Sequence, residues 1–151
     1  MLVEIENGEV KSERAKKFYF DTSIWLDFFE NRDEPNLPKS KIAKELVKKI
    51  VENNDKILLS DVNYKELNKI GYSRYDIKEL LLPIRKSVGF IISTGKQIGR
   101  ARDLAVKRDI PSGDALQAFL ARDNRAVLIT RDNHFKKILD IIVPYLPEEF
   151  I

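Results

Sequence analysis

The stretch KFYFDTSIWLDFF, residues 17–29, decides how the chain is read. An aromatic run ends at Asp21, two small hydroxyl residues follow, and Ile24, Trp25, Phe28 and Phe29 then recur at helical spacing. An apolar run of this length that stops at an acid and a helix start suits a buried strand feeding a short helix. Trp25 and Phe28 suit the core or a dimer surface better than a base-stacking platform. Residues 31–39 hold two prolines and end this unit.

The order repeats downstream. Ile42, Ala43, Leu46, Val47, Ile50 and Val51 form one stripe of an amphipathic helix over 41–53, and KILLS (56–60) is the next strand. A helix over 61–70, a break at Gly71-Tyr72-Ser73 and a helix over 74–82 that Pro83 helps to end lead to the strand VGFII (88–92). Residues 94–108 read as a helix. Ile110 precedes Pro111 and is pushed out of the helical region, so 110–113 is a loop. A helix from 112 or 113 to 124, the strand AVLIT (126–130), a short helix over 131–139 and a last strand at IIV (141–143) complete the series. Strands separated by helices predict an α/β fold, a three-layer sandwich with a mostly parallel central sheet.

Upstream, LVEIENGEVKS (2–12) places two alternating runs around Asn7-Gly8, a dipeptide suited to a tight hairpin turn. The chain is therefore expected to comprise an amino-terminal extension, 1–16, with a β-hairpin, and one domain over 17–151. At 151 residues a single core is the natural arrangement.

Composition excludes several chemistries. There is no cysteine and one histidine, His134, so disulfides, thiolate catalysis and a Cys/His zinc site within one chain are ruled out. No run approaches the roughly 18 to 20 apolar residues of a membrane span, and the first residues do not form a signal peptide. A cytoplasmic protein is the simplest expectation. Residues 85–137 carry 12 Lys and Arg against 5 Asp and Glu, whereas residues 1–84 carry 15 against 16. That half suits a basic rim for nucleic acid, although a solvated Lys- and Glu-rich surface reads the same way.

Four carboxylates stand out. Asp21 follows the first strand, Asp132 follows VLIT, Asp114 opens a helix, and Glu66 lies with Val62 and Ile70 on one face of the helix after KILLS. Open α/β sheets hold ligands at the carboxyl ends of their strands. Each acid also has a structural use: Asp21 and Asp132 suit helix caps, Asp114 offsets a helix dipole, and Glu66 suits a salt bridge. Three or four carboxylates can hold Mg²⁺ or Mn²⁺, and two such ions roughly 3.5 to 4 Å apart serve in-line phosphodiester hydrolysis. Clustered carboxylates repel, so at least one is expected to have a raised pKa without the ion. Thr22, Ser23, Ser112 and Thr130 accompany the acids and suit orienting roles, with Ser112 the more ordinary helix start. His134 suits exposed polar surface as well as a place near the metals.

In FDTSIWLDFF (20–29), LSDVNYKEL (59–67), IPSGDALQAFLA (110–121) and LITRDNHF (128–135), the chain resembles the PIN-domain family of metal-dependent nucleases, which includes the toxins of toxin–antitoxin pairs. The resemblance covers about residues 17–146. It implies Asp21, Glu66, Asp114 and Asp132 as catalytic and metal-binding acids, with Thr22, Ser23 and Thr130 supporting them. It further implies Mg²⁺ or Mn²⁺ as cofactor, single-stranded RNA as substrate, often a homodimer, and in toxin members an antitoxin partner. The extension over 1–16 departs from the small toxins, which begin almost at the first aspartate. It could add edge strands, alter dimerisation or hold a partner.

Two other classes compete. A non-cleaving PIN-like module that binds RNA or protein would have no reason to keep four mutually repelling carboxylates. A phosphotransfer domain would need a lysine just after a late strand, where this chain has Ser93 and Arg131, and no GxxxxGK or GxGxxG loop occurs.

Overall fold

The computed structural model describes residues 4–6, 9–11 and 15–151. Strands β1 (Glu4–Glu6) and β2 (Glu9–Lys11) pair antiparallel with Glu6 opposite Glu9, the register a two-residue turn requires. The expected Asn7-Gly8 turn itself lies outside the described residues.

The main unit runs β3 (Lys17–Phe20), α1 (Thr22–Phe29), α2 (Lys39–Glu52), β4 (Lys56–Ser60), α3 (Asp61–Lys69), α4 (Arg74–Leu81), β5 (Val88–Ile91), α5 (Gly95–Arg108), α6 (Ser112–Asp123), β6 (Val127–Ile129) and β7 (Pro144–Tyr145). The strands form one sheet in the order β5-β4-β3-β6-β7, and every pairing is parallel. Parallel neighbours need long crossovers, which the helices supply on both faces.

Strand alternation separates two cores. Phe18, Phe20, Ile57, Leu59 and Ile129 face α1, α2 and α4, where they meet Ile24, Trp25, Leu46, Ile50, Ile77 and Leu81. Tyr19, Leu58 and Leu128 face the opposite side, with Ala101 and Leu104 of α5 and Ala115, Ala118 and Phe119 of α6. Trp25 is fully buried, a core residue. Helix α3 straddles the layers, because Val62 joins one cluster and Leu67 the other. It therefore lies across the carboxyl edge of the sheet.

Three helices are followed by a left-handed residue, Asn54 after α2, Asp109 after α5 and Arg125 after α6, with φ of 58°, 52° and 54°; the first and last lead into strands and Asp109 leads into α6. Such residues end helices by turning the chain back on itself.

The structure corrects three expectations from the sequence. The last strand is Pro144–Tyr145, not 141–143. The N–H groups of Ile141 and Ile142 both donate to the carbonyl of Ile138, at 2.9 and 3.3 Å, so that segment is a turn, and Tyr145 supplies the carbonyl for Thr130 N–H at 2.9 Å. The expected helix over 131–139 is a 3₁₀ segment, Asn133–Ile138. Pro83 does not end the helical path: it sits in the first turn of a 3₁₀ segment, Leu82–Ser87, where its missing N–H does no harm.

Ile70 is a further departure, because it is 56% exposed rather than core-facing with Val62. Replacing it with Ala is expected to change stability by less than about 0.5 kcal/mol. Phe20→Ala should cost about 3–5 kcal/mol by emptying a fully buried position between the sheet and α1. Chemical denaturation of the two variants beside the parent measures both.

Candidate active site

The strand order reverses beside β3. The chain moves from β3 to β4 to β5 in one direction, then returns to place β6 on the other side of β3. In open α/β sheets such a reversal opens a crevice at the carboxyl ends of the strands. Asp21 leaves β3 at that crevice, and Thr130, Arg131 and Asp132 leave β6 beside it.

Asp21 is 5% exposed and is held by four donors. Its Oδ1 accepts from Ser23 N–H at 2.7 Å, Ser23 Oγ at 2.6 Å and Ile24 N–H at 3.3 Å. Its Oδ2 accepts from the Thr130 hydroxyl. Asp21 thus caps α1, the structural use foreseen for it, with the same carboxylate that stands at the strand end. Burial raises its pKa, and the donors from Ser23, Thr130 and the α1 backbone oppose that rise.

Thr130 links the two strand ends. Its hydroxyl donates to Asp21 and accepts from Asp132 N–H at 3.0 Å. Asp132 caps the 3₁₀ segment through His134 N–H at 2.9 Å. Asp114, in the first turn of α6, brings Oδ2 to 2.9 Å from His134 Nδ1, and that nitrogen lies 3.0 Å from Asp132 Oδ1. Arg131, between two of these residues, turns away and binds Glu148 at 2.9 Å. The nearest arginine in sequence therefore does not neutralise the acids.

Glu66 enters from α3, half-buried, with Oε1 accepting from Gln117 Nε2 at 3.1 Å. Its carboxyl is pushed up to about 7, first by burial and then by the charges of Asp114 and Asp21. Asp114 is pushed up to about 6 by burial and then by Asp132, with His134 opposing. His134 rises through its contacts with Asp114 and Asp132. By contact, Asp114 and Asp132 meet at His134 and Asp21 is linked to Asp132 through Thr130, whereas Glu66 stands outside that cluster and is held by Gln117.

Beneath Glu66 lies a buried polar network that sequence reasoning did not find. Asn63 donates to Thr22 Oγ1 at 3.0 Å, Gln117 Oε1 at 3.2 Å and the Phe20 carbonyl at 3.3 Å, while its own carbonyl accepts from Ser60 N–H at 2.9 Å. Tyr19 Oη reaches Ser60 Oγ at 2.7 Å and donates to Gln117 Oε1 at 3.2 Å. A signal existed for Gln117, which follows Asp114 by three residues within the apolar stripe of Ala115, Ala118 and Phe119. A buried amide on such a face must have partners. Ser112 is exposed at the start of α6.

The PIN domain family matches residues 18–140. This chain belongs to the PIN domain family. Three solved structures share its fold. VapBC-1 from nontypeable Haemophilus influenzae is 22% identical with a TM-score of 0.61, covering 87% of this chain and 98% of that one. VapBC2 from Rickettsia felis, bound to a DNA fragment from its promoter, is 20% identical with a TM-score of 0.58, covering 86% and 98%. A toxin–antitoxin complex from Klebsiella pneumoniae is 20% identical with a TM-score of 0.58, covering 86% and 97%. No curated protein matches the sequence. Among the described residues of this PIN domain, no helix is long and apolar enough to cross a membrane.

The raised acids set a sign for stability against pH in the ion-free protein. A carboxyl whose folded pKa lies above its unfolded value stabilises the fold when protonated, and that stabilisation is lost as pH rises through the folded pKa. With Glu66 at about 7 and Asp114 at about 6, the melting temperature should fall between pH 5 and pH 8. Glu66→Gln should raise the melting temperature at pH 8 and flatten the profile. Thermal melts in chelator across that range read both effects.

Proposed function

We propose that this PIN domain is a Mg²⁺- or Mn²⁺-dependent endoribonuclease that hydrolyses phosphodiester bonds of single-stranded RNA. In this reading Asp21, Glu66, Asp114 and Asp132 are the catalytic, metal-holding acids, with Thr22, Ser23 and Thr130 supporting them. The observation that carries it is the cluster in which Asp114, Asp132 and His134 each bring one donor atom within 4.8 Å of the others, with Asp21 joined to Asp132 through Thr130, and with burial and neighbouring acids holding Glu66 and Asp114 well above the ordinary carboxylate range.

The donor set fits a hard divalent cation, since it is dominated by carboxylate oxygens and the cation would offset their repulsion. When bound, the ion supplies Lewis acidity to the phosphodiester and to the attacking water. The chain's own residues do the positioning. Ser23 and Thr130 fix the plane of the Asp21 carboxylate, Gln117 fixes Glu66 Oε1, and Asn63 holds Thr22 and Gln117 in register with the strand ends.

A groove of about 480 Å³ adjoins Glu66 between α3, α5 and the start of α6, and Lys65, Lys69 and Arg102 line it. Three cations beside the acids suit the phosphates of a strand whose scissile bond lies at the acidic pocket. A toxin role with an antitoxin partner is supported by the shared fold with a toxin–antitoxin complex. A homodimer is supported by the outer strand β5, where Phe90 and the following Ile92 are 53% and 68% exposed.

The deciding experiment incubates purified protein with single-stranded and hairpin RNAs in Mn²⁺, Mg²⁺ or chelator. Metal-dependent cutting of single strands is expected, reduced more than about 100-fold in Asp114→Asn. Single strands left intact in both ions would sink the proposal. For the groove, binding of the Asp114→Asn protein to a labelled single strand is titrated against salt. Removing Lys65, Lys69 and Arg102 together should lower the slope of log K against log salt by about 2. An unchanged slope would place the strand elsewhere.

A further inference from the structure

His134 is a nitrogen donor aimed at the same space as two of the acids. Its Nδ1 stands 2.9 Å from Asp114 Oδ2 and 3.0 Å from Asp132 Oδ1. One donor atom from each of these three residues lies within 4.8 Å of the others. In a six-coordinate site with metal–ligand distances of about 2.1 Å, adjacent donors are separated by about 3 Å. The two edges that meet at His134 Nδ1 already have that length. The ring therefore stands where an adjacent ligand of an ion on Asp114 and Asp132 would stand.

The backbone keeps it there. His134 N–H is tied to Asp132 Oδ1 at 2.9 Å, and the next residue, Phe135, is fully buried in the core with Ile138. The 3₁₀ segment is thus pinned by its apolar residues while the histidine side chain, 45% exposed, stays at the pocket mouth. A histidine serving only as polar surface has no need of contacts to two acids from different elements.

We propose that His134 Nδ1 is a direct ligand of the divalent ion held by Asp114 and Asp132, and that it biases this site toward Mn²⁺ over Mg²⁺. The inference rests on the metal-dependent reading above. Imidazole suits the transition metals, whereas Mg²⁺ prefers oxygen donors, so one nitrogen among carboxylates shifts preference without abolishing Mg²⁺ binding.

Because His134 is the only histidine in the chain, a histidine nitrogen coupled to bound Mn²⁺ has a single source, provided no affinity tag remains. Pulsed electron paramagnetic resonance of the intact, tag-free protein with one equivalent of Mn²⁺ should show the ¹⁴N coupling of a bound imidazole. His134→Gln should lack that coupling. Calorimetry should show the variant binding Mn²⁺ about 10- to 100-fold more weakly, with a much smaller change for Mg²⁺. Mn²⁺ bound to wild-type protein without imidazole coupling overturns the assignment of His134 and leaves the metal-dependent reading intact. No Mn²⁺ binding by wild-type protein overturns that reading, and His134 as a ligand with it. The wild-type spectrum decides the point even where the variant folds poorly.

Discussion

Tyr19 pairs with Leu128 and Phe20 with Ile129 in parallel register, and Asp21 N–H extends that ladder to the carbonyl of Ile129 at 3.1 Å. Most of the site hangs on this seam. It joins two strands whose paired residues lie 109 positions apart in the chain, and it brings Thr130 against Asp21 at the reversal of strand order. Parallel strands cannot be joined by a tight turn, so all the intervening helices must be accommodated before the seam closes. The acids from α3 and α6 reach the crevice because those helices belong to the crossovers.

The pocket so formed is electrostatically unfavourable without a cation. Glu66 and Asp114 are lifted by burial first and by neighbouring acids second, and Arg131 is drawn off to Glu148. Opposing this, the polar groups beneath the acids are paired with one another: Tyr19, Ser60, Asn63, Gln117 and Thr22 form a connected set at the end of the sheet. Satisfied buried networks hold their members in one geometry, and an unmade bond among them would leave a costly orphan.

Much of this was legible in the chain. The aromatic run before Asp21 and the runs in KILLS and VLI are short continuous apolar runs, as strands buried on both faces require, and the stripe over 41–53 repeats at helical spacing. Three of the candidate acids stood out because each follows a strand or opens a helix, and Glu66 because it shares a helical face with Val62. Less legible was the end of the chain, where Ile141 and Ile142 look like strand but are spent on a turn at Ile138, and the brief ladder falls to Pro144–Tyr145. Apolar character marks burial, and both a strand and a tight turn packed on the core can supply it. Ile70 erred in the other direction: helical spacing aligned it with Val62, but α3 ends before it, and as the residue that closes the helix it lies exposed.

Sequence by itself determined most of the elements and their α/β order, and it singled out four acids as candidates, because apolar patterning and helix-start chemistry are local properties written within a few residues. Tertiary structure alone decided which partners those residues have. That Asn63 and Gln117 form the floor of the pocket, that Arg131 leaves it, and that His134 bridges Asp114 and Asp132 all depend on contacts between elements far apart in the chain. Such contacts are set by strand order and helix packing, and no spacing along the sequence encodes them directly.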